Sequence, residues 1–166
     1  MQMVRESEFE RLVAEHAQGL FGFLTYRTGD RALAEDLLAD TLEAAYRHRA
    51  RFDRRRASER TWLYTIALNR LRDHARRRAA ESRALERVAG ARPDGPRSGP
   101  ESVEDRDLAM RALGVLSEPE RECVALRFGG DLTLEEIARA IGERRTTVEG
   151  RLYGALRKMR ADIGAP

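Results

Sequence analysis

Residues 90–105, "GARPDGPRSGPESVED", hold three of the chain's five prolines and three glycines with almost nothing apolar between them. No helix or packed strand tolerates that density of breakers, so the segment reads as a flexible linker between domains over 1–89 and 106–166. On both sides the apolar residues repeat at helical spacing. The alternation of β-branched and aromatic residues that marks strands is missing, and aromatics make up only 6% of the chain. The fold class is therefore all-α: two small helical domains joined by a linker. At 166 residues and 42% hydrophobic content, each domain can bury a modest core.

In the first domain Phe9, Leu12, Val13, His16, Ala17, Leu20, Phe21 and Leu24 trace the apolar stripe of a helix over about 6–26. Gly29 suits a left-handed C-cap and Asp30 the N-cap of the next helix, over about 31–48. That second helix sets Ala34, Leu37, Leu38, Thr41, Leu42 and Ala45 inward. Its other face carries Glu35, Asp36, Asp40, Glu43 and Arg47. A loop with Phe52 and the triplet Arg54-Arg55-Arg56 leads to a third helix, about 59–86. There Trp62, Leu63, Ile66, Ala67 and Leu71 are expected to be buried, and Asn69, Arg72, Asp73, Arg76 and Arg77 polar.

The second domain opens with a helix expected over about 103–116. Ser117 to Glu120 and Thr133 to Glu136 each spell a capping box, in which the first residue and the fourth bond each other's backbone N–H. The first box launches a helix with Cys123, Leu126 and Phe128 that Gly129-Gly130 stops. The second launches "LEEIARAIG", with Leu134, Ile137, Ala138 and Ile141 inward. After the turn at Gly142 the last helix, about 146–163, buries Val148, Leu152, Ala155, Leu156 and Met159 and turns Arg144, Arg145, Thr147, Glu149, Arg151 and Arg157 outward. Two helices about a glycine turn make a helix-turn-helix, which offers its second helix to the major groove of DNA.

Net charge is only +3, but the cations are almost all arginine and cluster at 54–56 and 76–78. The guanidinium fork suits phosphates and guanine edges. No catalytic constellation stands out: His16, His48 and His74 are scattered with no cysteine or carboxylate at metal-binding spacing, and no glycine loop cradles a phosphate. No cofactor or metal is expected, and the chain does not read as an enzyme. The lone Cys123 excludes an internal disulfide and fits a reducing, cytoplasmic setting, as a buried structural thiol. The start, "MQMVRESEFE", has no apolar signal core and no run is long enough for membrane insertion.

Taken in order, "AEDLLADTLEAAYRHRARF", "TWLYTIALNRLRDHARRR" and "LSEPERECVALRFGGDLTLEEIARAIG…TTV" resemble successive motifs of the bacterial extracytoplasmic-function (ECF) sigma factors of the sigma-70 family. The resemblance spans nearly the whole chain. It implies a region 2-like three-helix bundle that binds core RNA polymerase and the −10 element, and a region 4-like helix-turn-helix that binds the −35 element. By position it implies that Asp36, Asp40, Glu43 and Arg47 dock on the clamp helices of the largest polymerase subunit. It likewise implies that the loop 52–61 and Trp62, Asn69, Asp73, Arg76 and Arg77 read and melt the −10 element. Arg144, Arg145, Thr147, Glu149 and Arg151 lie where −35 contacts are expected. Residues 90–105 would thread toward the RNA exit channel, and the flap of the second-largest subunit and an anti-sigma factor are further implied partners.

The chain departs from the family pattern at Ala39 and Leu42, where Gln and Phe are usual, and at Glu143 and Arg144 in the turn. It also carries Gly150 and Gly154 inside the last helix, each costing about 1 kcal/mol relative to alanine. Two rivals share the helix-turn-helix. One is a stand-alone regulator with an N-terminal interaction bundle; the other is a sigma-like protein acting mainly through protein contacts.

Overall fold

The computed structural model describes residues 6–89 and 114–164, and among them every regular element is helical. The chain divides into two compact units, Met1–Ser98 and Gly99–Pro166. The linker 90–105 and all but the end of the helix expected over 103–116 lie outside the described residues.

In the first unit α1 (Glu6–Thr28), α2 (Arg31–His48) and α3 (Glu59–Ala89) pack around one core. The α1–α2 corner follows its sequence signals. Gly29 takes φ 65° and donates its N–H to the Thr25 carbonyl, and an Asp30 carboxylate oxygen accepts the Leu33 N–H at 3.2 Å. Leu12, Leu20, Phe23 and Leu24 of α1 meet Ala34, Leu37, Ala44 and Ala45 of α2 and Leu63, Tyr64, Ala67, Leu68 and Leu71 of α3. Thr41 is fully buried, and its hydroxyl is satisfied by the Leu37 carbonyl one turn back, at 2.6 Å.

The buried stripe of α3 is turned from the one the periodicity suggests. Tyr64 and Leu68 are buried, whereas Trp62 and Ile66 are only half-buried. Aromatic geometry accounts for it. The Tyr64 ring meets Phe23 edge-on at 5.5 Å inside the core, and Trp62 lies against Phe52 at 4.7 Å on the rim.

In the second unit both capping boxes form. Ser117 and Glu120 start α4 (Glu118–Val124), and Thr133 and Glu136 start α5 (Leu134–Ile141). After α4 the chain widens into a π turn over Ala125–Gly129, closed by the Gly130 N–H on the Ala125 carbonyl. That wider turn points Phe128 out of the unit, 62% exposed, rather than onto the face that buries Cys123. Gly142, at φ 72°, ends α5, and α6 (Arg145–Asp162) begins after two intervening residues. Val148, Leu152 and Ala155 of α6 are buried as expected, with Cys123, Leu126, Leu132 and Ile137 across from them. Leu156, expected inside, is exposed at the flank of the helix. Burial pushes the Cys123 thiol pKa up, and Arg151 partly offsets that.

Candidate nucleic-acid and polymerase interfaces

At about 100° per residue, Trp62, Asn69, Asp73 and Arg76 fall within about 60° of one another on α3. Asn69 and Arg76 are exposed, Asp73 and Trp62 half-buried, and Arg76 donates to the Asp73 carboxylate at 2.6 Å. The face therefore runs from an aromatic surface near the start of α3 to a guanidinium about four turns on. An aromatic that can stack a base, a polar amide and a cation in series suit an unstacked nucleic-acid strand.

Arg77 does not share that face. It lies about 100° further round α3 and lines an open groove of about 550 Å³ between α2 and α3, with Asp30, Leu33, Asp36, Leu37, Asp40, His74, Arg78 and Glu81. Three aspartates of the α2 side thus confront two arginines and a histidine of α3. The His74 Nε2 is buried with no hydrogen-bond partner.

Asp36, Asp40, Glu43 and Arg47 are brought together as one exposed face of α2, with Arg47 ion-paired to Glu43. Sequence spacing overlooked a further cluster. Glu15, His16 and Glu59 converge to within 4.8 Å, because Glu59 arrives from the start of another helix. Arg11 and Arg54 already pair with Glu59, at 3.4 and 3.1 Å, so its charge is compensated. Of the arginine triplet, Arg54 reaches back to Glu59 and Arg56 pairs with Asp53 at 3.8 Å.

In the second unit the five residues singled out at the start of α6 do not form one outward face. Arg145 and Glu149 sit on one flank, Thr147 and Arg151 on the other, and Thr147, Glu149 and Arg151 are half-buried. Val148, Leu152 and Ala155 anchor the inner side, so the outward line opposite them is Thr146, Gly150, Tyr153 and Arg157, all exposed. Arg157 is outward as the sequence indicates, whereas Thr146, Gly150 and Tyr153 emerge only from a helical wheel centred on the buried positions. Two of the three arginines are held by acids around the turn. Arg145 pairs with Glu135 of α5 at 3.0 Å, and Arg151 with Glu143 at 3.1 Å. Arg144 is the exposed N-cap of α6, extended at φ −75° and ψ 146°, with no side-chain capping bond. Such surface pairs are worth about 0–1 kcal/mol, so exchanging them for phosphate or guanine contacts costs little.

Comparison with known proteins places both units. The family model for sigma-70 region 2 matches residues 12–81, and that for sigma-70 region 4 matches residues 112–161. The chain is 32% identical over 155 residues to the ECF RNA polymerase sigma factor SigL of Mycobacterium tuberculosis, covering 92% of this chain and 86% of SigL. It is 30% identical over 157 residues to the ECF RNA polymerase sigma factor BldN of Streptomyces coelicolor, and spans 58% of that longer protein's length. Its fold resembles that of the sigma factor RpoE from Bartonella quintana, solved in complex with the anti-sigma factor NepR. The TM-score is 0.80 at 22% identity, over 96% of this chain and 98% of that one.

Proposed function

We propose a division of labour for this chain, which belongs to the ECF RNA polymerase sigma factors of the sigma-70 family: the first unit docks on core polymerase and opens the −10 element, and the second reads the −35 element. Asp36, Asp40, Glu43 and Arg47 of α2 are the docking face for the clamp helices. Trp62, Asn69, Asp73 and Arg76 of α3 hold the unpaired −10 strand, with Trp62 as stacking surface and Arg76 neutralising phosphate. The N-terminal turns of α6 enter the major groove at the −35 element, and the same unit meets the polymerase flap. Tethering the two readers through residues 90–105 makes the second promoter contact effectively intramolecular, raising occupancy without new contacts. RNA synthesis belongs to the core enzyme, and the chain itself carries no catalysis. It acts in the cytoplasm, where an anti-sigma factor holds it until released. The sigma–anti-sigma complex of the RpoE fold supports that last assignment.

The observation that carries the reading is the shared face of Trp62, Asn69, Asp73 and Arg76 on α3, in a chain that also holds a capped helix-turn-helix. Run-off transcription of fragmented genomic DNA by core polymerase, with and without the chain, tests it. New start sites should appear only when both are present. Replacing Asn69, Asp73 and Arg76 together by alanine should abolish opening while leaving co-purification with core polymerase intact. DNA binding that regulates without core polymerase would make the chain a stand-alone regulator. Unchanged opening by the triple variant would mean that α3 acts through protein contacts.

A further inference from the structure

Among the described residues, nothing in the core explains the length of α3. Leu71 is its last buried residue, yet the helix runs on to Ala89 with nearly every side chain from Ala75 onward exposed. A helix this polar, without a core to pack on, draws little stability from propensity alone. Of its five arginines two, Arg77 and Arg78, line the groove side, and the other three are aligned. Arg76, Arg83 and Arg87 lie within about 40° of one another around the axis, continuing the line of Asn69 and Arg72. Only Ala79 and Ala80 come between Arg76 and Arg83 near that line, and the acids Asp73 and Glu86 stand at its edges. The apolar residues of the overhang, Leu85 and Val88, are on the opposite side with the groove-lining His74, Arg78 and Glu81.

We propose that this overhang is a rail for the phosphates of duplex DNA just upstream of the opened −10 element, with Arg83 and Arg87 as its distal contacts. A cationic stripe spaced by alanines, with the apolar side chains turned away, matches a phosphate backbone and not a protein groove. Arg76 to Arg87 spans about 16 Å along the helix, several axial steps of a DNA strand. The match to the family model for region 2 ends at residue 81, before Arg83 and Arg87. The contact reads no sequence. It lengthens the duplex footprint and aligns the upstream DNA with the strand-holding face of α3.

The inference rests on the promoter-opening reading above, and one binding experiment separates the two. Holoenzyme carrying the wild-type chain, Arg83→Gln/Arg87→Gln or Arg83→Lys/Arg87→Lys is titrated with a promoter fragment recovered by run-off transcription. The same fragment with its duplex cut back to the upstream edge of the −10 element serves as the second probe. On the full fragment the Gln variant should bind several-fold more weakly. Its plot of log affinity against log salt should be shallower by about 2, for two lost phosphate contacts at about 0.9 each. The loss should be the same for any spacer sequence, absent on the shortened fragment, and restored by lysine. Equal affinity and slope on the full fragment overturn the rail, as does an equal loss on both fragments. A loss of core-polymerase binding instead would make the stripe a protein contact. Failure of the wild-type holoenzyme to open any fragment overturns the promoter reading, and the rail with it.

Discussion

Two glycines inside α6 offer a sharp test of what limits the stability of the second unit. Gly150 and Gly154 sit in helical backbone. A methyl built on Gly150 meets nothing within 4 Å, and one on Gly154 meets only a Glu120 carboxylate oxygen, at an ordinary 3.5 Å. With no clash to offset it, each alanine should gain the intrinsic helix preference, about 0.5–1 kcal/mol. The chain supplies its own reporters. Cys123 is its only cysteine and is fully buried in the second unit, and Trp62 is its only tryptophan and lies in the first. Labelling of Cys123 by a thiol reagent requires the second core to open, so its rate follows the opening free energy. Gly150→Ala and Gly154→Ala should each slow labelling about two- to fivefold, since about 1.4 kcal/mol is tenfold, and together about five- to 25-fold. Urea unfolding followed by Trp62 fluorescence should not move. Unchanged or faster labelling in Gly150→Ala would refute the reasoning, because no packing cost exists there to cancel the gain.

Gly19 should behave in the opposite way: a methyl there falls 2.9 Å from the Tyr64 hydroxyl, on a ring that is 2% exposed and held by Phe23. Gly19→Ala should destabilise the first unit by about 1 kcal/mol net, lowering the Trp62 unfolding midpoint while Cys123 labelling stays as in the wild type. Glu120 links α4 to α6 through Lys158 Nζ, 2.9 Å from both carboxylate oxygens, and Lys158 and then the Ser117 N–H hold its pKa below the ordinary carboxylate value. A depressed value stabilises the fold above the unfolded-state pKa and is lost as pH falls through the folded one. Urea titrations should therefore show Glu120→Gln less stable than wild type at neutral pH, with the gap closing on acidification.

Local signals were legible wherever one residue decides the outcome. The Gly29–Asp30 corner, both capping boxes and the Gly142 turn form as the sequence indicates, because each depends on one backbone conformation or one short hydrogen bond. Misreadings arose where the deciding partner is distant. Tyr64 displaces Trp62 from the core of α3 because Phe23, on another helix, offers it an edge. Phe128 leaves the apolar face because a single extra residue widens the end of α4 into a π turn, which no spacing argument registers. Arg76 and Arg77 are neighbours in sequence, and one helical step sends them to different surfaces. In α6, polarity marks both the flanks and the outward line of the helix. Only the positions of Val148, Leu152 and Ala155 fix which is which.

The pairing of arginines with acids then takes on a function consistent with the two interfaces. A chain this rich in arginine would bind any polyanion if its guanidinium groups were bare. Here Glu135 and Glu143 hold Arg145 and Arg151 around the helix-turn-helix, and Asp73 holds Arg76 on α3. Each acid sets a threshold: an anion must outbid a surface ion pair worth at most about 1 kcal/mol before the guanidinium turns to it. A single phosphate gains little from that exchange. On the function proposed above, a promoter engaging both units would gain it at several arginines at once, so the same acids that weaken each contact would raise the discrimination between a promoter and bulk nucleic acid.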